Sequence, residues 1–225
     1  LWIGAILRAP FSKMAGAFAE QTKRSEKFAE KALFCFTFLL FVAMVLGVYV
    51  YTHDDVSRVI TYAMKRGIRV LPEFDTPGHV QKGLETIKDL LTPCYGADGK
   101  PDGTTGPMNP ILNSTYAFLT KFYAEVKAVF PDKFVHVGGD EVSFDCWQSN
   151  PAIQAWMKAN AKAVPTYADL ESYYEVHLLK ILEAQGSSYM VWEEIFDNGV
   201  KILPDTVVDV WKGGGWEATM GRVTQ

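Results

Sequence analysis

Hydrophobic and polar positions divide the chain into two unlike parts. Residues 32–51 (ALFCFTFLLFVAMVLGVYVY) are 20 consecutive positions without a charge, long enough to cross a bilayer as a helix. Beyond them the apolar residues fall into short periodic groups. Val56, Val59, Ile60, Ala63 and Met64 share one face of a helix predicted over Thr52–Arg66. Thr52 and Asp55 form a capping-box pair at its start, and Gly67 ends it. Ile68–Phe74 (IRVLPEF) predicts a strand, and residues 91–112, rich in Gly, Pro, Asp and Thr, predict a long loop. Tyr116, Leu119, Phe122, Val126 and Phe130 predict a helix over Ser114–Phe130, followed by a strand at Phe134–Val137. Asn150-Pro151 opens another helix by cap and first-turn proline. Tyr167–Ala184 is a longer helix that stops near Gly186, and strands follow at Tyr189–Trp192 and Val207–Trp211.

Apolar strands alternating with helices imply an α/β fold, with a parallel sheet covered on its faces. Each strand ends in polar or aromatic groups: Asp75 and His79, then Asp140 and Glu141, then Trp192 with Glu193 and Glu194, then Trp211. Four such endings on one edge of a parallel sheet describe a pocket rim. Glu193 and Glu194 read as solvated or paired groups, and Asp169 and Glu171 as ordinary helix surface. A hydrophobic fraction of 48% and an aromatic fraction of 13% exclude global disorder and leave rings to line a pocket. A net charge of −4 without a long basic tract excludes nucleic acid as a partner. There is no Gly-x-Gly-x-x-Gly and no Walker loop, so nucleotide binding has no support.

Lys23, Arg24, Lys27 and Lys31 precede the apolar run, and His53, Asp54 and Asp55 follow it. The basic side stays cytoplasmic, which sends the rest of the chain to a lumen or the outside. The segment is expected to be a signal-anchor or uncleaved signal. A cleaved signal, a buried helix or an incomplete gene product are the alternatives. Cys35 lies in the run and reads as a small hydrophobe. Cys94 and Cys146 have no histidine at zinc spacing, so a disulfide is the reading for a lumenal domain. Asn113-Ser114-Thr115 is an N-glycosylation acceptor by pattern.

The richest stretch chemically is residues 134–146, where an apolar run breaks at Gly138-Gly139 and delivers Asp140 and Glu141. Adjacent side chains on a regular strand point to opposite faces, so the two acids share a pocket only where the strand relaxes. Neighbouring residues cannot hold their carboxyls about 6.5–9.5 Å apart across a sugar, as inverting glycosidases require. The pair fits a scheme in which one acid meets the glycosidic oxygen and the other serves the same side, the substrate supplying its own nucleophile.

The motifs EFDTPGH (73–79), LTPCY (91–95), HVGGDEV with CW (136–142, 146–147), VWEEIFDN (191–198) and VVDVW (207–211) resemble glycoside hydrolase family 20, specifically the β-N-acetylhexosaminidases of the lysosomal hexosaminidase α/β-subunit type. The resemblance covers roughly residues 50–225, leaving 1–50 as a separate N-terminal segment. It implies a (β/α)₈ TIM barrel that removes terminal β-linked N-acetylglucosamine or N-acetylgalactosamine with retention and without a cofactor. Under it Glu141 is the general acid/base, and Asp140 orients the 2-acetamido group, whose oxygen attacks the anomeric carbon. Glu141 must hold its proton until it meets the leaving oxygen, which a carboxylate beside it favours. His79 hydrogen-bonds the general acid, backed by Asp75. Trp192 and Trp211 wall the N-acetyl and sugar pocket. Cys94–Cys146 matches a family disulfide and Asn113 a glycosylated position. A lysosomal or extracellular lumenal location and a homo- or heterodimer follow from the same resemblance, with a membrane as further partner if residues 32–51 are retained.

About four of the eight strand–helix units are legible, the first two strands and the last two being absent. Half a barrel would expose two unpaired sheet edges. The expectation is therefore that the chain is inactive by itself. Two other classes remain: a membrane-anchored, non-catalytic remnant that binds glycans or a partner subunit, and another substrate-assisted glycosidase such as a chitinase. The second lacks its D-x-x-D-x-D-x-E pattern here.

Overall fold

The computed structural model describes residues 50–225, so the expected membrane or signal helix at 32–51 lies outside the described residues except for its last two positions. Among the described residues no helix is long and apolar enough to cross a membrane. Helix α1 (His53–Met64) starts directly after Thr52. It ends in a Schellman turn: Ile68 N–H donates to Ala63 O and Gly67 N–H to Met64 O, with Gly67 at φ 71°.

The strand expected over Ile68–Phe74 contracts to one parallel bridge, Glu73 to His136. His136 N–H donates to Pro72 O (2.9 Å) and Phe74 N–H to His136 O (3.0 Å). The next bond of the ladder would need an N–H from Pro72, which has none, so the pairing stops there. Helix α2 (Gln81–Leu84) follows, a short element broken by the non-helical Lys82 and Gly83.

Residues 91–112, expected as a loop, hold an antiparallel hairpin of β1 (Leu91–Tyr95) and β2 (Pro101–Met108). Their Pro and Gly content hides the strands, and the register is irregular on both sides of Pro93. The hairpin survives because it is anchored from outside, through Cys94.

Helix α3 (Asn113–Val129) leads to β3 (Phe134–His136), and α4 (Asp145–Ser149) and α5 (Pro151–Ala159) come next. Asn150 caps α5 as its sequence predicts, its side-chain oxygen accepting from Ala152 and Ile153 N–H. Helix α6 spans Tyr167–Ala184, closed at its N-terminus by a Thr166–Asp169 capping box. Asp169 is thus a capping residue. Strand β4 (Ser188–Trp192), helix α7 (Glu193–Asp197) and strand β5 (Val207–Asp209) follow, β5 ending two residues before the expected Trp211. Gly215, at φ 80°, begins α8 (Trp216–Val223), which hydrophobic patterning did not indicate.

β3, β4 and β5 form a parallel sheet in that order, with Val135 opposite Tyr189 and Val191 opposite Val208. Helices α3 and α6 pack together against it. Leu119, Tyr123, Leu178, Leu179 and Leu182 meet Val135, Val137, Tyr189 and Val191 in one buried cluster. A second cluster gathers Trp147, Ile153, Met157, Val164 and Leu170. Leu178 is fully buried. Leu178→Ala is expected to cost about 2–5 kcal/mol in a denaturant unfolding curve, through lost burial and the cavity left behind.

Candidate active site

The parallel order places the ends of the Glu73 bridge, β3, β4 and β5 along one edge, and the chemistry collects there. Beyond β3, Gly138 N–H donates to His136 Nδ1 (3.1 Å) and Gly139 N–H to Asp75 Oδ1 (2.9 Å). The two glycines have φ 77° and 97°. A Cβ on Gly138 would fall inside the Asp75 carboxyl group, and one on Gly139 would strike Ile195. The turn therefore lies flush on Asp75 and α7, and only glycine fits.

That turn delivers Asp140 and Glu141 to different surroundings. The Asp140 side chain is 20% exposed and that of Glu141 62%. Glu141 (φ 50°) and His79 (φ 55°) both hold left-handed backbone, a strain that collects at functional sites. His79 Nε2 sits 3.8 Å from Asp75 Oδ2, 3.8 Å from Asp140 Oδ2 and 3.9 Å from Glu141 Oε2. The structure thus brings together all four residues singled out for the acid/base centre, at ion-pair rather than hydrogen-bond separation. Ligand atoms of Asp75, His79 and Asp140 lie within 4.8 Å of one another, the one grouping among the described residues that could hold a cation.

Trp192 and Trp211 meet edge to face, ring centres 6.3 Å apart, and Trp192 rests on His136 at 4.7 Å. Each indole N–H donates to a carboxylate: Trp192 to Glu73 Oε1 (3.1 Å) and Trp211 to Glu194 Oε2 (3.1 Å). Lys212 Nζ bridges Glu194 (3.2 Å) and Asp197 (3.7 Å), and Glu193 accepts from Lys212 N–H. Glu193 and Glu194 are paired groups, and Glu194 holds the Trp211 indole. Sequence reading passed over Glu73, although a spacing of two from Asp75 places both on one face of an extended segment.

Beneath the turn lie acids that the sequence reading placed on the surface or did not consider. Glu171, read as helix surface, is buried, and Asn198 Nδ2 donates to it (3.1 Å). Glu175 is fully buried, with no hydrogen-bond partner for either oxygen. It packs by Gly139, whose Cβ would stand 3.7 Å from Glu175 Oε1. Burial pushes Glu171 up to about 7 and Glu175 well above the usual carboxylate range, each reinforced by neighbouring acids. Asp75 rises to about 8, first through burial and then through hydrogen bonding and repulsion from Asp140, the Gly139 N–H opposing.

These shifts fix the sign of a pH effect. The folded protein keeps protons on these three carboxyls that the unfolded chain releases above about pH 4, so their contribution to stability is full below that pH and is lost as pH rises towards 8. The melting temperature should drop by roughly 5 °C or more between pH 5 and 8. Glu175→Gln should flatten the slope; an unchanged slope would show that Glu175 ionises at the same pH in the folded and unfolded chain.

Cys94 and Cys146 form a disulfide, as expected, tying β1 to α4 just beyond the acidic turn. Trp147 Nε1–H donates to Met108 O (3.1 Å) and Asn150 Nδ2 to Pro93 O (3.0 Å), stitching the hairpin to the same segment. Asn113 stands apart from these groups, exposed at the first position of α3.

The profile of the glycosyl hydrolase family 20 catalytic domain matches residues 9–225. The chain belongs to glycosyl hydrolase family 20. It is 53% identical over 176 residues to the β-hexosaminidase subunit beta of Felis catus, covering 78% of this chain and 33% of that protein. To the β-hexosaminidase subunit alpha of Bos taurus it is 52% identical over 164 residues, covering 73% of this chain and 31% of the relative. The chain thus spans about a third of the length of the curated relatives it matches. A family-20 exo-β-N-acetylglucosaminidase from Vibrio harveyi, solved with N-acetylglucosamine, superposes with a TM-score of 0.64 at 30% identity, over 77% of this chain and 27% of that one.

Proposed function

We propose that this family-20 chain carries the proton-transfer and acetamido-orienting centre of a retaining β-N-acetylhexosaminidase, set on part of a (β/α)₈ barrel. The observation that carries the proposal is the unequal placement of two adjacent acids around His79, with Glu141 open to solvent and Asp140 largely enclosed.

Glu141 donates its proton to the glycosidic oxygen as the bond from that oxygen to the anomeric carbon breaks. The substrate's own acetamido oxygen attacks the same carbon and closes an oxazolinium ring. Asp140, as carboxylate, accepts the acetamido N–H and stabilises the positive charge that grows there. Glu141, now ionised, takes a proton from the water that opens the ring. Two inversions give net retention, and no second carboxylate across the sugar is required, as in the substrate-assisted exceptions to the two-acid scheme. His79 links the acids and positions Glu141. Trp192 and Trp211, held by Glu73 and Glu194, wall the N-acetyl group and the sugar. The substrates are terminal non-reducing β-linked N-acetylglucosamine or N-acetylgalactosamine on glycans or glycolipids. A lumenal or lysosomal setting and a dimer accord with the family-20 subunits that this chain is similar to.

Hydrolysis of an aryl β-N-acetylglucosaminide followed by proton NMR tests the proposal, on a barrel completed with the strand–helix units expected to be missing from this chain, since the chain is expected to be inactive by itself. The β-anomer of the released sugar should form first and then mutarotate. First appearance of the α-anomer would contradict retention, and no turnover by folded protein would leave a glycan- or subunit-binding role in its place.

A further inference from the structure

An open cavity of about 470 Å³ lies between α3 and α6, and none of its lining residues belongs to the acidic centre. Its walls include Tyr116 and Ala117 on α3 and His177, Ile181 and Ala184 on α6, and Asn113 lines it as well. The volume falls within the range of about 300–1,000 Å³ in which ligand sites cluster. We propose that this groove seats the first N-acetylglucosamine of a glycan carried on Asn113.

Three observations support that occupant. Asn113 opens an Asn-x-Thr triplet and is exposed, while Thr115 is fully buried and its hydroxyl donates to Asn109 O (2.7 Å). The triplet is closed off once the chain has folded, so the sugar must be attached beforehand and the helix then forms with it in place. The attachment residue is itself part of the groove wall. The sugar therefore needs no free-solution affinity, since the covalent link supplies a high effective concentration. The walls also suit a pyranose. The rings of Tyr116 and His177 lie 4.9 Å apart at 36°. The Tyr116 hydroxyl donates to Pro110 O (2.6 Å), and His177 Nδ1 lies 2.7 Å from Tyr173 O. His177 also packs on Tyr173 (4.2 Å between ring centres) and Tyr116 on Tyr174 (6.1 Å), so with these polar atoms engaged the two residues offer the sugar what remains open of their ring carbon surface. Thr120 and Lys180, also in the lining, supply hydrogen-bonding groups for its hydroxyls.

The inference does not depend on the hydrolase reading. The seated sugar would bridge the two helices that cover the sheet, protecting their outer seam.

The test uses the full chain made in a glycosylating secretory host, with its glycans trimmed enzymatically to single N-acetylglucosamine residues. Mass spectrometry should find Asn113 occupied. In the folded protein the acetyl-methyl proton signal of that sugar should be displaced from its position in the unfolded chain through the ring currents of Tyr116 and His177. His177→Ala should remove a large part of the displacement. An unoccupied Asn113, or a methyl signal at the same position in folded and unfolded protein, would overturn the proposal without need of any variant.

Discussion

Glu141→Gln in the completed barrel is expected to lower kcat for a β-N-acetylhexosaminide by about 10²–10⁴-fold, the usual contribution of a positioned general acid. The melting temperature should hardly change, because the side chain is 62% exposed and its ionic neighbour, His79 at 3.9 Å, also faces two other acids. Leaving-group chemistry sharpens the test. A nitrophenolate departs with little protonation, whereas an alcohol or sugar must be protonated as its bond breaks. The loss should therefore be larger for a disaccharide than for a nitrophenyl glycoside. A uniform loss across leaving groups would mean that Glu141 acts on binding or on the water step alone. An effect confined to the melting temperature would remove it from the chemistry.

The other large effect concerns the turn that places the acids. Gly138→Ala should destabilise the fold by about 2–5 kcal/mol, measured by denaturant unfolding. The new Cβ would enter the space of the Asp75 carboxyl group, and the backbone there holds φ 77°. Overpacking contributes about 1–3 kcal/mol and left-handed strain about 1–2 kcal/mol. Activity should fall with it, since relief of the clash moves either Asp75 or the turn. Gly213→Ala, which has no neighbour within reach of a new Cβ, should leave stability unchanged to within about 0.5 kcal/mol. Tolerance of alanine at Gly138 would mean that the turn and Asp75 are not in the contact described.

Some of this was legible in the sequence and some was not, for identifiable reasons. Residues 134–142 announce themselves because a buried strand, two glycines and two acids leave few other uses for the segment. Helix α6 was legible to its last residue through its apolar period and Gly186. The same period contained a signal that was missed. Glu171 and Glu175 each stand two turns before a buried leucine, Leu178 and Leu182, in phase with the buried face, so their burial follows from spacing alone. The hairpin of β1 and β2 was hidden because its residues are turn formers, and its anchors, Cys146, Trp147 and Asn150, lie 39–57 positions away. Pro72 gave the opposite error: the apolar run around it reads as a strand, yet a missing N–H limits pairing to one bridge. The indole–carboxylate pairs, Trp192 with Glu73 and Trp211 with Glu194, depend on sheet register that no local pattern encodes.

The central claim is that the substrate's acetamido group is the nucleophile and Asp140 its orienting partner. The direct measurement compares kcat/KM for an aryl 2-acetamido-2-deoxy-β-glucoside and for the β-glucoside with the same leaving group, using the completed barrel and its Asp140→Asn variant. The account predicts a preference for the acetamido substrate of at least about 10³-fold, the scale available to a well-placed intramolecular nucleophile. That preference should collapse in Asp140→Asn. Comparable hydrolysis of the two substrates, or a preference that survives in the variant, would contradict it.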